Sequence, residues 1–310
     1  KKPDLSYVAE ATRQISPHIR PGNLVILEST CPVGTTDEIV ATILREQGHN
    51  LDEEVFVAHC PERVLPGRIL IELIENDRVA GGINEASTER AVEFYEEFVR
   101  GEVYPTTAKT AEMVKLTENS SRDVQIAFAN ELSQICTSEG INTWEVIELA
   151  NRHPRVNILN PGPGVGGHCI AVDPWFIIDR SPDHSRLMRA AREINDSMPN
   201  WVTGYIERCA NKFKNPTIAC LGITYKADVD DLRESPALFI VKELQDAKVG
   251  RILVCEPNLK SHPEFELSKL EDSIEYSDIV VLLVDHKKFS RLSAAVLREK
   301  VVIDTRGIIR

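Results

Sequence analysis

A chain of 310 residues, 42% apolar and 27% charged, has room for two or three domains with substantial cores and is neither disordered nor fibrous. The net charge of −12 disfavours a general nucleic-acid surface, so an anionic ligand must be held by local arginines and lysines. Seven scattered cysteines without a C-x-x-C pair argue against a disulfide framework and against a zinc or other metal site. Neither an export signal nor a membrane span is visible, and a reducing cytoplasm is the expected home.

From the start to about Ala108 the short apolar runs NLVILES, VFVAHC, RVAGGI and EVYPT alternate with helical stretches at residues 36–47 and 85–99. That alternation predicts a parallel sheet covered by helices, with ligands gathering at the carboxyl ends of its strands. Glu28-Ser29-Thr30 and His59-Cys60-Pro61-Glu62 fall at such ends, and Thr35, Thr36 and Asp37 look like helix-opening residues. Residues 109–213 read as helical. A long first helix keeps an apolar stripe through Met113, Leu116, Val124, Phe128, Leu132 and Ile135, with Gly140 as its C-cap. Lys115 and Asn119, four apart, share a face of it, a spacing that also fits a solvated surface pair. A second long helix, near residues 185–213, is expected to kink or restart at Pro199. From Pro216 the alternation returns with TIACLGI, RILVCEP, DIVVLLVDH and VVIDTRG, and Ser235 and Pro236 open a helix as N-cap and first-turn residue. The predicted fold is α/β: two Rossmann-like open parallel sheets, the first truncated at its N-terminus, joined by a helical middle domain with a long connecting helix. The segments are 1–108, 109–213 and 214–310.

The stretch GPGVGGHCIAVDPWF, residues 162–176, places four glycines and a cysteine within eight positions. Gly162, Gly164 and Gly167 match G-x-G-x-x-G in spacing, but no buried strand precedes them and HCIAVDP follows without helical period, so this is not a dinucleotide fingerprint. A plain turn accounts for the glycines and leaves Cys169 unexplained. A thiol beside side-chain-free backbone is what a substrate-accessible nucleophile needs. Cys60 lies near the presumed site, whereas Cys136, Cys209, Cys220 and Cys255 fall in apolar settings where a buried thiol is commonplace.

Taken in order, ESTCPVGTT, CPERVLPG, KLTENSSRDVQIAFANEL, GPGVGGHCIAVDP and YKADVDDLRESPA resemble the UDP-sugar 6-dehydrogenases, nearest the branch that acts on UDP-N-acetyl-D-mannosamine. The resemblance implies oxidation of the sugar 6-hydroxyl to a carboxylate with two NAD. An aldehyde surrenders hydride only after a nucleophile has made its carbon tetrahedral; a Cys169 thiolate would do this through a thiohemiacetal and a thioester. By the same resemblance Lys115 and Asn119 stabilise the oxyanion, and Asp173 assists proton transfer and the hydrolytic water. Thr30 and Glu62 border the nicotinamide and the reacting centre, with Glu62 a base. Lys226 and Arg233 serve the cofactor side of the C-terminal domain, and Lys226 with Gly166, Gly167, His168 and Arg155 serves the substrate. Arg152 is a weaker choice beside Arg155. A homodimer through the central helices is implied.

Family members begin with a glycine fingerprint and further strands. The resemblance therefore implies a chain that starts partway into the nucleotide domain, expected to bind a UDP-sugar, to bind NAD poorly and to have negligible activity. Pro66 stands where glucose-type relatives carry a second acid, so a two-carboxylate proton scheme is not expected there, and GGHC in place of GGSC favours an N-acetylated sugar. UDP-N-acetylglucosamine and UDP-glucose are alternative substrates. A nucleotide-sugar-binding module and a thiol acyltransferase or hydrolase are alternative classes, separated from the dehydrogenase by NADH stoichiometry.

Overall fold

The computed structural model describes residues 3–64, 68–292 and 295–309, so Pro66 lies outside the described residues. Among these the chain forms α1 (Ser6–Ile15), β1 (Leu24–Leu27), a π-helical turn (Thr36–Ala41) that runs into α2 (Thr42–Glu46), β2 (Phe56–His59), α3 (Ile69–Glu75), β3 (Arg78–Gly82), α4 (Glu85–Glu96) and β4 (Val103–Thr107). The helical stretch follows as α5 (Ala108–Glu139), α6 (Thr143–Ala150), α7 (Asp173–Arg180) and α8 (Arg186–Ala210). The last part holds β5 (Thr217–Leu221), α9 (Pro236–Asp246), β6 (Arg251–Cys255), α10 (Leu270–Glu275), β7 (Ile279–Leu282) and β8 (Val301–Asp304). The chain divides into two compact units, residues 1–121 with 172–186 and residues 122–171 with 187–310.

In the first unit the strand order is β1-β2-β3-β4. Alternate residues of β2 feed opposite faces: Val57 joins Val40, Leu44 and Leu51, whereas Ala58 joins Ala80, Ala91 and Tyr95. The sheet is not wholly parallel as expected, because β2 and β3 run antiparallel, with Ala58 opposite Gly82 and His59 opposite Gly81. The intervening α3 buries none of its seven residues. It does not lie over the sheet as a crossover helix, and the chain enters β3 from the other end.

The second unit contains a wholly parallel sheet of order β6-β5-β7-β8. Ile218 and Cys220 of β5 pack with Met198, Val202 and Ile206 of α8 and with Ile240 and Leu244 of α9, while Ala219 and Leu221 face Val280, Leu282 and Phe289. Ser235 caps α9 by accepting the Leu238 amide at 3.2 Å. Of the kink or restart expected at Pro199, the restart does not occur: α8 runs unbroken from Arg186 to Ala210. Proline deprives the Asn195 carbonyl of its helical donor, yet Met198 and Val202 are buried on either side and the Thr203 hydroxyl donates to the Pro199 carbonyl at 3.0 Å, so packing carries α8 through.

The 32-residue helix α5 ends where expected, with Gly140 at φ +70°. Much of its apolar stripe lies off the buried face: Met113, Phe128 and Ile135 are 40%, 56% and 54% exposed, whereas Leu116 is buried and shares the inward side with Ala111, Glu112, Ser120, Asp123 and Asn130. Glu112, Asp123 and Asn130 are accommodated on that side because each has a hydrogen-bond partner inside. No described helix is long and apolar enough to cross a membrane.

Candidate active site

In the first unit, Thr30 follows β1 and Glu62 follows β2, at the neighbouring carboxyl ends of two parallel strands, and both are half-buried. The Glu62 carboxylate accepts the Val64 amide at 2.7 Å, and Glu28 accepts the Tyr95 phenol at 2.6 Å. Lys115 and Asn119 are half-buried on α5. The Asn119 amide donates to Asp173 Oδ2 at 2.5 Å. Asp173, only 4% exposed, is the first residue of α7 and precedes Pro174, the proline position that opens a helix. Burial raises its carboxyl above the usual aspartate range, against the opposing pull of the Asn119 bond and the Lys115 charge. The sequence reading gave no helix after the glycine loop; α7, at eight residues, is too short for its period to stand out.

Thr35, Thr36 and Asp37 do stand where a helix opens, but the Thr35 side chain at the N-cap position makes no capping bond. Instead Glu112 of α5 takes the amides of Gly34 and Thr36 and the Thr36 hydroxyl, at 2.5, 2.8 and 2.7 Å. Glu112 also lies with Cys31 and His59 in a buried group whose ligand atoms fall within 4.8 Å of one another. Both carboxylate oxygens already accept hydrogen bonds, and burial pushes the Cys31 thiol up to about 12 and the His59 ring down to about 4. Burial by itself thus keeps the thiol and the ring neutral.

In the second unit β6 and β7 flank β5 on opposite sides, and a cavity of about 420 Å³ opens at the carboxyl ends of β5 and β7, the switch point of this sheet. Its walls include the loop from Leu159 to Gly166, Tyr225, Lys226 and Asp285, with Arg122 and Arg306. Arg306 is held by Asp285, Nε to Oδ1 at 3.0 Å. A Cβ on Gly162 would lie 2.4 Å from Arg306 Nη1, so the loop's first glycine makes room for this guanidinium. Gly167 has φ +81° with the Tyr225 ring 3.0 Å from where its Cβ would stand, which excludes a side chain on both counts. His168 and Cys169 are exposed beyond it. Of the seven cysteines, all within the described residues, Cys169 alone is exposed. Burial raises Cys60 and pushes Cys220 and Cys255 up to about 12.

The start of the loop is fastened from beneath. Asn130 accepts the Gly162 amide at 2.9 Å and donates to Asn195 at 2.8 Å; Asn195 donates to Asp123 at 2.8 Å, and Asp123 receives Arg192 at 2.6 Å, all buried. Among the cations expected at this end, Lys226 lines the cavity. Arg233 is instead an exposed bidentate partner of Asp231, whose carboxyl it holds down at about 2, and Arg155 and Arg152 are exposed. Sequence reasoning missed Arg122 and Arg306. The strand-end rule that singled out Lys226 applies equally to the VVIDTRG run and would have found Arg306.

Three family models match in chain order: the NAD binding domain, the central domain and the UDP binding domain of the UDP-glucose/GDP-mannose dehydrogenase family, at residues 1–99, 109–197 and 219–310. The protein is thus an NAD-dependent dehydrogenase of UDP-sugars. It is 53% identical over 319 residues to an NDP-N-acetyl-D-galactosaminuronic acid dehydrogenase of Ralstonia solanacearum, an alignment covering 99% of this chain and 75% of that one. It is 46% identical over 331 residues to the UDP-N-acetyl-D-mannosamine dehydrogenase of Escherichia coli, covering 100% and 78%. A solved structure of the UDP-N-acetyl-mannosamine dehydrogenase of S. aureus superposes with TM-score 0.89 at 41% identity, over 99% of this chain and 74% of that one. The chain belongs to the UDP-glucose/GDP-mannose dehydrogenase family.

Proposed function

We propose that the protein oxidises the 6-hydroxyl of UDP-N-acetyl-D-mannosamine to the carboxylate of the uronate, consuming two NAD per sugar, with Cys169 as the covalent nucleophile. The observation that carries this reading is the exposed Cys169 at the end of a glycine loop whose first half walls a cavity bearing Arg122, Lys226 and Arg306. NAD supplies the hydride acceptor for both oxidations. Thr30 and Glu62, a hydroxyl and a carboxylate at adjacent parallel strand ends, fit the nicotinamide end of that cofactor.

Lys226 and Arg306 hold the diphosphate, with Arg122 beside them. Lys115 and Asn119 donate to the oxygen on C6 whenever it carries negative charge. The alcohol loses a proton and a hydride to become the aldehyde; the Cys169 thiolate adds to that carbon, and loss of a second hydride leaves a thioester. Water then adds, the C–S bond breaks, and the acid and the thiolate are released. Asp173, its carboxyl raised by burial, takes the proton from that water. The product suits surface-polysaccharide precursors made in the cytoplasm. The exposed Phe128, Ile135, Ile141 and Leu149 offer an apolar face for a two-fold homodimer through the central helices.

A second reading, in which the sugar is N-acetyl-D-galactosamine, is favoured by the name of the relative at 53% identity. The test is NADH counted per sugar across a panel of UDP-sugars, with the acid identified by mass spectrometry. Two NADH per UDP-N-acetyl-D-mannosamine are expected. A higher kcat/KM on the galacto sugar moves the assignment to the second reading, and binding of the sugar without NADH reduces the protein to a binding module.

A further inference from the structure

Glu112 stands one turn before Lys115 and two before Asn119 on α5; the spacing i, i+3, i+7 puts all three on one side of the helix. It is 1% exposed, and its bonds to the Gly34 amide, the Thr36 amide and the Thr36 hydroxyl reach the segment that begins immediately after Thr30. The Cys31 thiol points at the same carboxylate, Sγ to Oε1 at 3.8 Å. A buried carboxylate is expensive unless fully bonded, and an apolar side chain of similar volume would fill the space as well. What an apolar side chain could not do is fix the height and rotation of α5 against the loop that carries Thr30.

We propose that Glu112 is a positioning residue for the dehydrogenation, holding Lys115, one turn further along α5, at a set distance from the nicotinamide loop. The inference rests on the roles proposed above for Lys115 and Thr30. Glu112 touches neither sugar nor cofactor. Its effect passes through Lys115, and a displacement on the order of 1 Å costs about 100-fold in rate.

The experiment compares Glu112→Gln, Lys115→Met and the double variant in the full-length protein. Glutamine keeps the length but turns an NH₂ group toward one of the amides. Expected is a kcat lowered by roughly 30-fold with KM for the sugar within about 2-fold, and two NADH still formed per sugar. Adding Glu112→Gln to Lys115→Met should cost less than about 3-fold further, since a group that acts through Lys115 has nothing left to position. Wild-type kcat in the single variant overturns the proposal, as does full additivity in the double variant. Should Glu112→Gln fail to fold, Thr36→Val removes one of the three bonds, with kcat down about 3-fold and again no further loss on Lys115→Met. Absence of NADH from the wild type on every UDP-sugar would overturn the functional reading itself; additivity overturns only this one.

Discussion

Lys115, Asn119 and Asp173 sit on helices, buried or half-buried, with Asn119 bonded to Asp173 and Glu112 clamped a turn away. Lys226, Arg306 and Cys169 sit on strand-end and glycine loops, partly or fully exposed. On the roles proposed above, the contrast separates two kinds of work. A group that meets charge appearing only in the transition state must be aimed beforehand, because reorganising at that moment consumes the stabilisation it gives. A group that holds a phosphate meets charge already present and can close upon it. In the proposed reaction Cys169 crosses the division: it would do its chemistry from a loop, as a nucleophile that must reach its carbon and then withdraw.

The sharpest way to break this contrast is Cys169→Ala. With the other six thiols buried, it should end acid formation altogether. Mass spectrometry with excess NAD reads the result, and acid at wild-type yield would take Cys169 out of the mechanism. Lys115→Met comes next, with kcat expected to fall about 100-fold and sugar KM nearly unchanged. A rise confined to KM would move Lys115 to the phosphate-holding group.

Asp173→Asn should lower kcat by roughly 30-fold. Because burial raises this carboxyl and its working form is the ionised one, wild-type kcat should fall off on the acid side above the ordinary aspartate range. That limb should vanish in the variant; a pH profile that keeps it would assign the limb to another group. The smallest effect is expected for Arg306→Gln, with KM for the sugar about 10-fold higher and kcat preserved, as befits a charge-assisted bond to a group present from the start. A matching loss of kcat would mean that strand-end cations also act in the transition state.

Much of this was legible from residues alone. Seven of the eight described strands fall inside the apolar runs read from the sequence, and β4 overruns EVYPT by one residue, because a short buried strand shows as a run of apolar residues bounded by turn residues. Signals that depend on distant partners were not legible. The run direction of β3 depends on α3 not packing over the sheet, and the passage of α8 through Pro199 depends on the core around Met198 and Val202. Arg306 reaches its cavity only because β8 lies beside β7, and Glu112 reads as an ordinary helix acid until its partners, some 76 residues earlier, are known. Cys169, by contrast, was singled out by local composition alone, and its exposure among glycine neighbours agrees with that reading.

The π-helical turn at Thr36–Ala41 has a consequence for how this segment can change length. One end is clamped at Thr36 by Glu112, and the other is locked where Val40, Ala41 and Leu44 enter the core. An α-helical register satisfies one end or the other; the wider turn takes up the odd residue between them. Loss of a single codon within 37–41 would let the segment relax to a regular helix while rotating Thr36 by about 100° about its axis, away from the carboxylate. A lineage that made this deletion would keep a well-packed helix and forfeit the clamp, so the turn behaves as a spacer whose length is set by the Glu112 bonds at one end and by core packing at the other.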